Sequence, residues 1–509
     1  MTSTQFYNHP SATSSSTSVA SSLDSETWCL LSGTDSSSSD TVTKPSRRQS
    51  RKKRNQCKRP ALSQLNTVQE RMLQSFCAAP SPSFHSANGV FTVDPPSKPA
   101  PAPGQRVSPI SPACRRLCWD ELENGARSIA ADGFPATFGE AARKLFRLLD
   151  TEILYTRRSY RQFLLYRGDI AQLLVDVLQW MLDYHPSLEG SQRRKILQAL
   201  LRLAKRSKLM PTDFFLGAVQ IGEVFFQTPN VDVFRGLHHG RDVCLKRYRN
   251  HNQASRDDMA TRIIKESILL RNHRDPGLLP FIGILQFDGD FEKTYLVSPL
   301  FKSGTIVSYL AKHPDVDRRL LLKDIIQATV HFHGNNVVHG DIKGCNVLVG
   351  SNGRAVLADL GVSRLRDVEL LSWPTASTMD PALGTIPWRS PELMVSHTPV
   401  SPTAASDVYA LGIFAYEVFT GQSPFSDLGR GLGNEWAAAR IYLEVPKGRR
   451  PSKPSAGSDA YQRYGLTEEI WGMMERCWAG DPKLRPSAAE LLQSPFLRNL
   501  VDKRPFAME

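Results

Sequence analysis

The order of strand-like and helix-like segments is the feature that most restricts the fold of this chain. Four runs with alternating or β-branched apolar residues lie between residues 214 and 300: FFLGAVQI, VDVFRGL, RDVCLKRYR and TYLVSPL. One helical pattern, RIIKESILLRNH, interrupts them and ends at Asp275-Pro276-Gly277. Two long apolar helical patterns, RRLLLKDIIQATVHFHG and ASDVYALGIFAYEVFTG, follow beyond Asp317. Strands first and helices second predict an α+β domain over residues 213–500, divided into a β-rich lobe and a helical lobe.

Residues 1–115 have a composition that does not favour folding. Serine dominates the beginning of this segment, and proline is frequent between residues 80 and 112. Such a segment cannot bury enough apolar surface to offset the conformational entropy that folding would remove. We therefore expect a disordered Ser/Pro-rich tail over residues 1–115.

Residues 116–210 show the periodicity of amphipathic helices. Apolar residues recur at helical spacing in RGDIAQLLVDVLQWMLD and again in QRRKILQALLRLAK. The pattern predicts three or four helices, and each needs a partner for its apolar face. Two arrangements are open, a small bundle of their own or docking on the domain that follows. Because these helices carry no catalytic constellation, we expect a regulatory region with an intramolecular contact to that domain.

The net charge of +13 is concentrated in the tail. Residues 1–115 hold thirteen Lys/Arg and six Asp/Glu, which gives +7, and nine of these basic residues fall in KPSRRQSRKKRNQCKR, residues 44–59. This run resembles a nuclear-localisation signal, although a solvated tail would also explain it. We expect a cytoplasmic or nuclear protein. Direct binding of nucleic acid is not expected, because no aromatic residues or reading motif accompany the charges.

The eight cysteines and the longest apolar runs exclude several other classes of protein. No CxxC pair occurs, so neither a zinc ribbon nor a disulfide framework is predicted. Reduced thiols in the cytosol or nucleus are the expected state. No apolar run approaches the roughly 18 residues that a membrane span requires, and the polar N-terminus is unlike a secretory signal.

Polar residues between positions 339 and 361 have the chemistry that phosphoryl transfer requires. The reaction needs ligands for a divalent metal, a cation on the phosphates and a carboxylate that orients the acceptor hydroxyl. Asp341 is followed by Lys343 and Asn346, and Asp359 comes eighteen residues after Asp341. One carboxylate and one amide carbonyl suffice for Mg²⁺, because this ion keeps several of its waters. The pattern predicts transfer of a phosphoryl group with the help of magnesium.

Five motifs in a fixed order resemble those of the eukaryotic protein kinase domain, serine/threonine type, in the tyrosine-kinase-like group. They are HGDIKGCNVLV, ADLG, GTIPWRSPE, SDVYALG and DPKLRP, and they extend over somewhat more than half of the chain together with the strands before them. The HGDIKG motif and the preceding helical stretch are most similar to kinases of mushroom-forming (basidiomycete) fungi. The resemblance implies a bilobal protein kinase fold, ATP and Mg²⁺ as cofactors, and protein substrates.

The resemblance also implies a role for individual residues. Asp341 would orient the hydroxyl, Lys343 would steady the γ-phosphate, and Thr385 belongs to the same catalytic group. Asn346 and Asp359 would bind the metal. Lys246, at the end of VCLK, would contact the phosphates, with Glu266 as its partner twenty residues later. The adenine pocket would be formed by Val233, Cys244, Ser298 as gatekeeper, Phe301 in the hinge, and Leu348.

The phosphate-binding loop departs from the family pattern. The stretch QTPNVDV, residues 227–233, contains none of the three expected glycines and places Pro229 at the second of them. Glycine allows backbone amides to approach a phosphate closely, whereas proline removes a donor. We expect weaker binding or poorer positioning of the nucleotide.

Gly340 is a second departure, because the family usually has arginine there. That arginine binds a phosphorylated activation loop, so its absence predicts activity set by other means, even with phosphorylation at Ser372, Thr375, Ser377 or Thr378. This chain has DLG where the family usually has DFG, and SPE where the family usually has APE. Neither change removes a metal ligand. Two functions remain open, an active kinase and a pseudokinase that acts as a scaffold or switch. We favour activity, because all six polar catalytic positions are present.

Overall fold

The computed structural model describes residues 112–131, 139–186, 188, 190–228, 230–249, 256–365, 385–395, 401–428 and 434–505. The predicted tail up to residue 111, its basic run and the four candidate phosphorylation sites of the activation loop lie outside the described residues.

Five helices precede the sheet within the described residues. They are α1 (Pro112–Ala131), α2 (Glu140–Leu148), α3 (Arg157–Phe163), α4 (Gly168–Tyr184) and α5 (Gly190–Ser207), and α2 continues into a π-helical turn at Leu149–Ile153. Residues 112–115, which the sequence assigned to the tail, are helical. Proline fits the first position of α1, because the N–H it lacks would have no partner inside the helix.

The β-rich lobe contains a five-stranded antiparallel sheet and one long helix. The strands run in the order β1-β2-β3-β5-β4. Their bounds are β1 (Val219–Gln227), β2 (Val231–His238), β3 (Arg241–Tyr248), β4 (Gly283–Gln286) and β5 (Thr294–Pro299), and the helix between β3 and β4 is α6 (Arg256–Asn272).

The prediction of a strand over FFLGAVQI is wrong in its first half. Phe214 closes a 3₁₀ turn at Thr212–Phe214 and is buried with its ring edge against Phe281. Leu216 donates its N–H to the carbonyl of Ile284 on β4, 2.8 Å away. This stretch therefore packs across the opposite edge of the sheet, and the strand begins only at Val219.

The helical lobe follows β5. Its helices are α7 (Ile306–Lys312), α8 (Arg318–Gly334), α9 (Glu392–Val395), α10 (Ala404–Thr420), α11 (Asn434–Glu444), α12 (Asp459–Gln462), α13 (Glu468–Cys477), α14 (Ala488–Leu492) and α15 (Pro495–Arg498). Two short ribbons lie at the front of this lobe, β6 (Val337–Val338) with β9 (Arg364–Leu365), and β7 (Val347–Val349) with β8 (Ala355–Leu357).

The core joins the N-terminal helices to both lobes. Helix α10 is buried over almost its whole length, and its C-terminal end is closed by Gly421 at φ 65°. Helices α4 and α5 pack on each other, and α5 also packs along α6. Within the part of the chain that the structure describes, no helix has both the length and the apolar character for crossing a bilayer.

Candidate active site

The cleft between the lobes contains a charged cluster built from three separate elements. Lys246 on β3 places its Nζ 3.0 Å from Oε1 of Glu266 on α6 and 2.9 Å from Oδ1 of Asp359, which follows β8. Glu266 is almost fully buried, so it needs this cation as a partner. The sequence predicted Lys246 with Glu266 as one pair and Asp359 as a metal ligand, and the structure places all three in contact.

The charges of this cluster support one another. Burial alone would lower the pKa of Lys246, but the carboxylates of Asp359 and Glu266 hold that pKa well above its usual range. Burial alone would raise the pKa of Asp359, but Lys246 and Arg262 hold that pKa far below its usual range. Lys246 therefore stays cationic and Asp359 stays anionic at neutral pH, which are the states that bind phosphate and metal.

Tyr248 is a member of the cluster that the sequence reasoning did not identify. Its hydroxyl donates a hydrogen bond to Oε2 of Glu266, and the Nζ of Lys246 lies 4.8 Å from the centre of its ring. Burial and the neighbouring Glu266 raise the pKa of Tyr248 well above its usual range, so it remains a donor. Alternation along β3 puts residues 246 and 248 on one face, and that pattern was visible in the sequence.

The catalytic loop is attached to helix α10 through its backbone. The two oxygens of Asp407 accept the N–H groups of His339 and Gly340, each at 2.8 Å. Asp407 is almost fully buried, and His333 provides a further hydrogen bond to it at 3.0 Å. This attachment fixes the backbone immediately before Asp341.

Gly340 adopts a left-handed backbone conformation with φ 83°. A Cβ atom would fit sterically, because one built there lies 3.5 Å or more from its neighbours. The requirement for glycine is therefore conformational, since L-residues are strained at this φ. Arginine at this position would carry that strain, and glycine removes it.

Gly340→Ala is expected to lower the free energy of unfolding by about 1 kcal/mol, the cost of a Cβ in the left-handed region. Thermal unfolding measures the change, which corresponds to a shift of about 2–4 °C for a domain of this size. Gly334→Ala is the matched control, because Gly334 lies at the end of α8 and has no atom near its Cβ position. The Gly334→Ala protein should have a higher free energy of unfolding than wild type. Equal shifts for both variants would contradict the conformational explanation.

Asp341 is held by four polar groups from three residues. Its Oδ1 accepts the backbone N–H of Thr385 at 3.0 Å and the Thr385 hydroxyl at 3.1 Å. Its Oδ2 lies 2.8 Å from the Nζ of Lys343 and accepts the amide of Asn346 at 2.9 Å. Burial would raise the pKa of Asp341, but Lys343 holds it below its usual range. The carboxylate is therefore ionised and oriented, and Lys343 also contacts the Thr385 hydroxyl.

Asn346 and Asp359 have the donor atoms that Mg²⁺ requires. Asn346 precedes β7 and Asp359 follows β8, so both lie at the same end of the β7–β8 ribbon. Ala358, next to Asp359, donates its N–H to the carbonyl of Asn346 at 2.8 Å. The nitrogen of the Asn346 side chain is used by Asp341, so the amide oxygen is the atom suited to the cation. One hard amide oxygen and one ionised carboxylate fit a magnesium ion that keeps its remaining waters.

The residues predicted for the adenine pocket lie on neighbouring segments. Val233 pairs with Lys246 across β2 and β3, and Cys244 pairs with Ser298 across β3 and β5. Burial raises the pKa of Cys244 to about 11, so this thiol is neutral and serves as a small apolar wall. Phe301 is buried just after β5, and Leu348 belongs to β7. Their contact with a nucleotide stays a prediction.

The register of β2 and β3 corrects the alignment of the phosphate-binding loop. Because Val233 lies opposite Lys246, it marks the valine of the family pattern G-x-G-x-x-G-x-V. Counting back, the three glycine positions are occupied by Phe226, Thr228 and Val231. The prediction that Pro229 stands at the second glycine is therefore wrong by one residue, and Pro229 itself lies outside the described residues.

The backbone N–H groups of the same hairpin are hydrogen-bonded within the hairpin itself. The Thr228 hydroxyl accepts the N–H groups of Val231 at 2.9 Å and Asn230 at 3.3 Å, and the N–H of Thr228 donates to the carbonyl of Val231 at 2.8 Å. These are the amides that a glycine-rich loop would present to phosphate. The hairpin therefore offers fewer donors to a nucleotide, independently of the bulk of its side chains.

Asp232 holds this hairpin to β3 and was not identified from the sequence. It accepts hydrogen bonds from Arg249 Nε at 2.7 Å, Arg247 Nη2 at 2.8 Å and Gln227 Nε2 at 3.0 Å. Burial would raise the pKa of Asp232, but the two arginines lower it to about 2. The hairpin is thus fixed by side chains in a conformation that a glycine-rich loop would hold loosely.

Glu417 connects the catalytic loop to the end of the activation segment. Its Oε2 accepts the N–H of Gly344 at 2.8 Å and the indole N–H of Trp388 at 3.2 Å, and burial raises its pKa to about 7. A Cβ at position 344 would lie 2.6 Å from Oε1, so this close approach requires glycine. Glu417 was not among the residues predicted from the sequence, although a carboxylate inside the apolar run FAYEVF is an unusual burial.

Arg485, in the DPKLRP motif, forms an ion pair with Glu392, in the GTIPWRSPE motif. Two guanidinium nitrogens of Arg485 donate to the two carboxylate oxygens of Glu392, each at 2.8 Å. Arg485 also donates to the carbonyls of Ala405 and Ala479, both at 2.9 Å. This bidentate geometry holds the end of the activation segment against α10 and the segment after α13.

The sequence matches the protein kinase domain family over residues 230–497, which is more than half of the chain. The chain therefore belongs to the protein kinase domain family, and the predicted bilobal kinase fold is confirmed.

Curated relatives include serine/threonine-protein kinases of Dictyostelium discoideum and Arabidopsis thaliana. A probable LIM domain-containing serine/threonine-protein kinase of Dictyostelium discoideum is 30% identical over 283 residues, 54% of this chain and 26% of that protein. Serine/threonine-protein kinase STY17 of Arabidopsis thaliana is 28% identical over 266 residues, 52% of this chain and 41% of that protein. Mitogen-activated protein kinase kinase kinase 2 of Arabidopsis thaliana is 27% identical over 252 residues, which are 48% of this chain and 35% of that protein. The chain thus spans about a quarter to two fifths of the length of these relatives.

Proposed function

We propose that the chain is a serine/threonine protein kinase that transfers the γ-phosphate of Mg-ATP to a hydroxyl group of a protein substrate. The observation that carries the proposal is the cluster of Lys246, Glu266 and Asp359. The lysine–glutamate pair and the metal-binding aspartate must both be in position for a protein kinase to act. Their contacts of 3.0 and 2.9 Å support an active arrangement. The similarity to proteins named as serine/threonine-protein kinases supports the choice of acceptor.

Asp341 would bind and orient the acceptor hydroxyl, and its ionised state favours acceptance of the proton as the phosphate transfers. Lys343 lies 2.8 Å from Asp341 and would place a positive charge beside the transferring group. Thr385 would keep the Asp341 carboxylate in its rotamer through two hydrogen bonds. Asn346 and Asp359 would hold Mg²⁺, which screens the negative charge of the phosphates when bound.

We propose that nucleotide binding depends on Lys246 and the metal more than on the β1–β2 hairpin. The internal hydrogen bonds of Thr228 and the missing glycines support this division. They also support the second candidate, a pseudokinase, which would keep the fold as a scaffold or switch. We further propose that the enzyme does not require activation-loop phosphorylation in the usual way, because Gly340 has no guanidinium group to bind a phosphate.

The full chain incubated with Mg-ATP tests the proposal without a known substrate. We expect autophosphorylation on serine or threonine, slow ATP hydrolysis, and a melting temperature that rises with Mg-ATP. Removal of Mg²⁺ with a chelator should abolish the transfer. A rise in melting temperature without any phosphate transfer would instead support the pseudokinase, and the absence of both would contradict a nucleotide-dependent function.

A further inference from the structure

Helix α6, which carries Glu266, is contacted at both ends by the helices that precede the kinase fold. At its N-terminal end, Lys208 donates to the carbonyl of Asp257 and to the hydroxyl of Thr261, both at 3.0 Å. At its C-terminal end, Gln179 and Asp183 on α4 contact Asn272 and Arg271. These contacts lie about 22 Å apart along the helix, so they fix its direction as well as its position.

The C-terminal contact is buried and specific. The side-chain amides of Gln179 and Asn272 bond to each other, at 2.9 and 3.5 Å, and Asn272 is 8% exposed. Arg271 donates to Asp183 at 2.9 Å, with both side chains mostly buried. Arg193 on α5 donates to the final carbonyl of the helix, at 3.4 Å from the oxygen of Asn272.

The middle of α6 separates the N-terminal helices from the catalytic cleft. Glu266 reaches Lys246 on one side, while its neighbour Ser267 is fully buried and packs against the sulfur of Met210 on the other. Buried apolar residues of α5 and α6 form one continuous core between these contacts. A rotation or outward movement of α6 would therefore break the Lys246 pair and the contacts with α4 and α5 together.

We propose that α4 and α5, together with Lys208 and Met210, form a built-in activating clamp that holds α6 in the position where Glu266 pairs with Lys246. The clamp would replace the stabilisation that other kinases obtain from a phosphorylated activation loop, for which Gly340 has no receptor. This inference rests on the proposed kinase function. The inference assigns the regulation of the active site to helices of the same chain.

Charge reversal across the Asp183–Arg271 pair tests the clamp in the full chain. Asp183→Arg and Arg271→Asp should each raise hydrogen exchange of the α6 amides and lower kcat/KM, each by about tenfold, the usual size of coupling between contacting elements. Arg271 also lies 3.5 Å from Asp213, which would face an aspartate in the double variant. The double variant, in which the two charges are exchanged, should therefore restore both quantities in part, to values clearly closer to wild type than those of either single variant. Rescue of this kind distinguishes a positioning contact from general destabilisation.

Asp150 provides a closely matched control. Like Asp183, it accepts one glutamine amide and one cation, from Gln192 at 3.1 Å and Lys195 at 3.0 Å, and its exposure is similar. It lies in the π-helical turn after α2, outside the clamp, and its hydrogen bond and ion pair among the described residues are with α5. Asp150→Arg should therefore leave the exchange of α6 and kcat/KM unchanged, even where it lowers the melting temperature.

Three results would overturn the clamp. They are wild-type exchange and activity in folded Asp183→Arg and Arg271→Asp, failure of the charge-exchanged variant to restore them in part, and an equal effect of Asp150→Arg. If the wild type transfers no phosphate, the proposed function fails, but the exchange of α6 still decides whether the N-terminal helices hold this helix. The two failures are therefore distinguishable.

Discussion

Asp341→Asn is expected to lower kcat by at least about a hundredfold, the lower end of what a positioned proton acceptor contributes. The asparagine has the same size, so the hydrogen bonds from Thr385 can persist on the side-chain oxygen. Its amide nitrogen, however, would face two further donors, Lys343 and Asn346, and it cannot accept a proton. The measurement is phosphate transfer at saturating Mg-ATP with the full chain.

The affinity for Mg-ATP should change much less than kcat, because Lys246 and Asp359 are untouched by this substitution. The melting-temperature rise with Mg-ATP reports on that affinity separately from catalysis. Asp288→Asn is the control, since Asp288 is exposed in the turn between β4 and β5 and pairs only with exposed Lys293 among the contacts of the described residues. Wild-type kcat in Asp341→Asn would refute the catalytic role.

Arg485→Ala is expected to lower the free energy of unfolding by about 3 kcal/mol, the lower end of the cost of leaving one member of a buried ion pair without its partner. The lower end applies because the side chain of Arg485 is fully buried whereas that of Glu392 is 23% exposed. Glu392 would lose both guanidinium hydrogen bonds, and the carbonyls of Ala405 and Ala479 would lose a donor. For a domain of this size the change corresponds to roughly 10 °C in the melting temperature. Thermal unfolding in the absence of nucleotide measures it directly.

The difference between wild type and Arg485→Ala should depend on pH. Burial would raise the pKa of Glu392, but Arg485 outweighs it and holds that pKa below its usual range. A carboxyl group with a depressed pKa stabilises the fold above its unfolded pKa and loses that contribution as the pH falls through the folded value. The two proteins should therefore differ most near neutral pH and converge in acid.

The control for Arg485 is Arg463→Ala, which removes a similar bidentate contact on the surface. Arg463 bonds to Asp315 at 2.8 and 3.3 Å, and both side chains are largely exposed. Exposed ion pairs contribute little to the free energy of unfolding, so the melting temperature of Arg463→Ala should be nearly that of wild type. An equally large loss in both variants would show that burial is not the reason for the stability of the Arg485 pair.

The charged groups of the site were predictable because each is tied to a local pattern. A lysine at the end of an apolar strand, a glutamate in the next helix and an aspartate after a short strand lie at spacings that the family preserves. Their sequence positions also determine which element carries them. The contacts of Lys246 with both carboxylates then follow from the packing of α6 and β8 against the sheet.

The residues that were missed act across long sequence separations or through side-chain competition. Glu417 lies 73 residues from Gly344, whose backbone N–H donates a hydrogen bond to it, and nothing near Glu417 in the sequence indicates that contact. Thr228 and Asp232 bond within their own hairpin, but the prediction considered only the missing glycines. The clamp was foreseen only as a helical region with some contact, because periodicity shows that a face is buried without showing what buries it.

The chain order of the N-terminal helices has a consequence for synthesis. Helix α5 ends at Ser207, whereas α6 ends at Asn272, so the surface that receives α6 leaves the ribosome first. At about 5–20 residues per second, that surface precedes the complete α6 by a few seconds. The apolar residues Ile263, Ile264 and Ile268 can therefore be covered as soon as they emerge. We expect the α6 region to be protected from aggregation during translation by a surface that was made just before it.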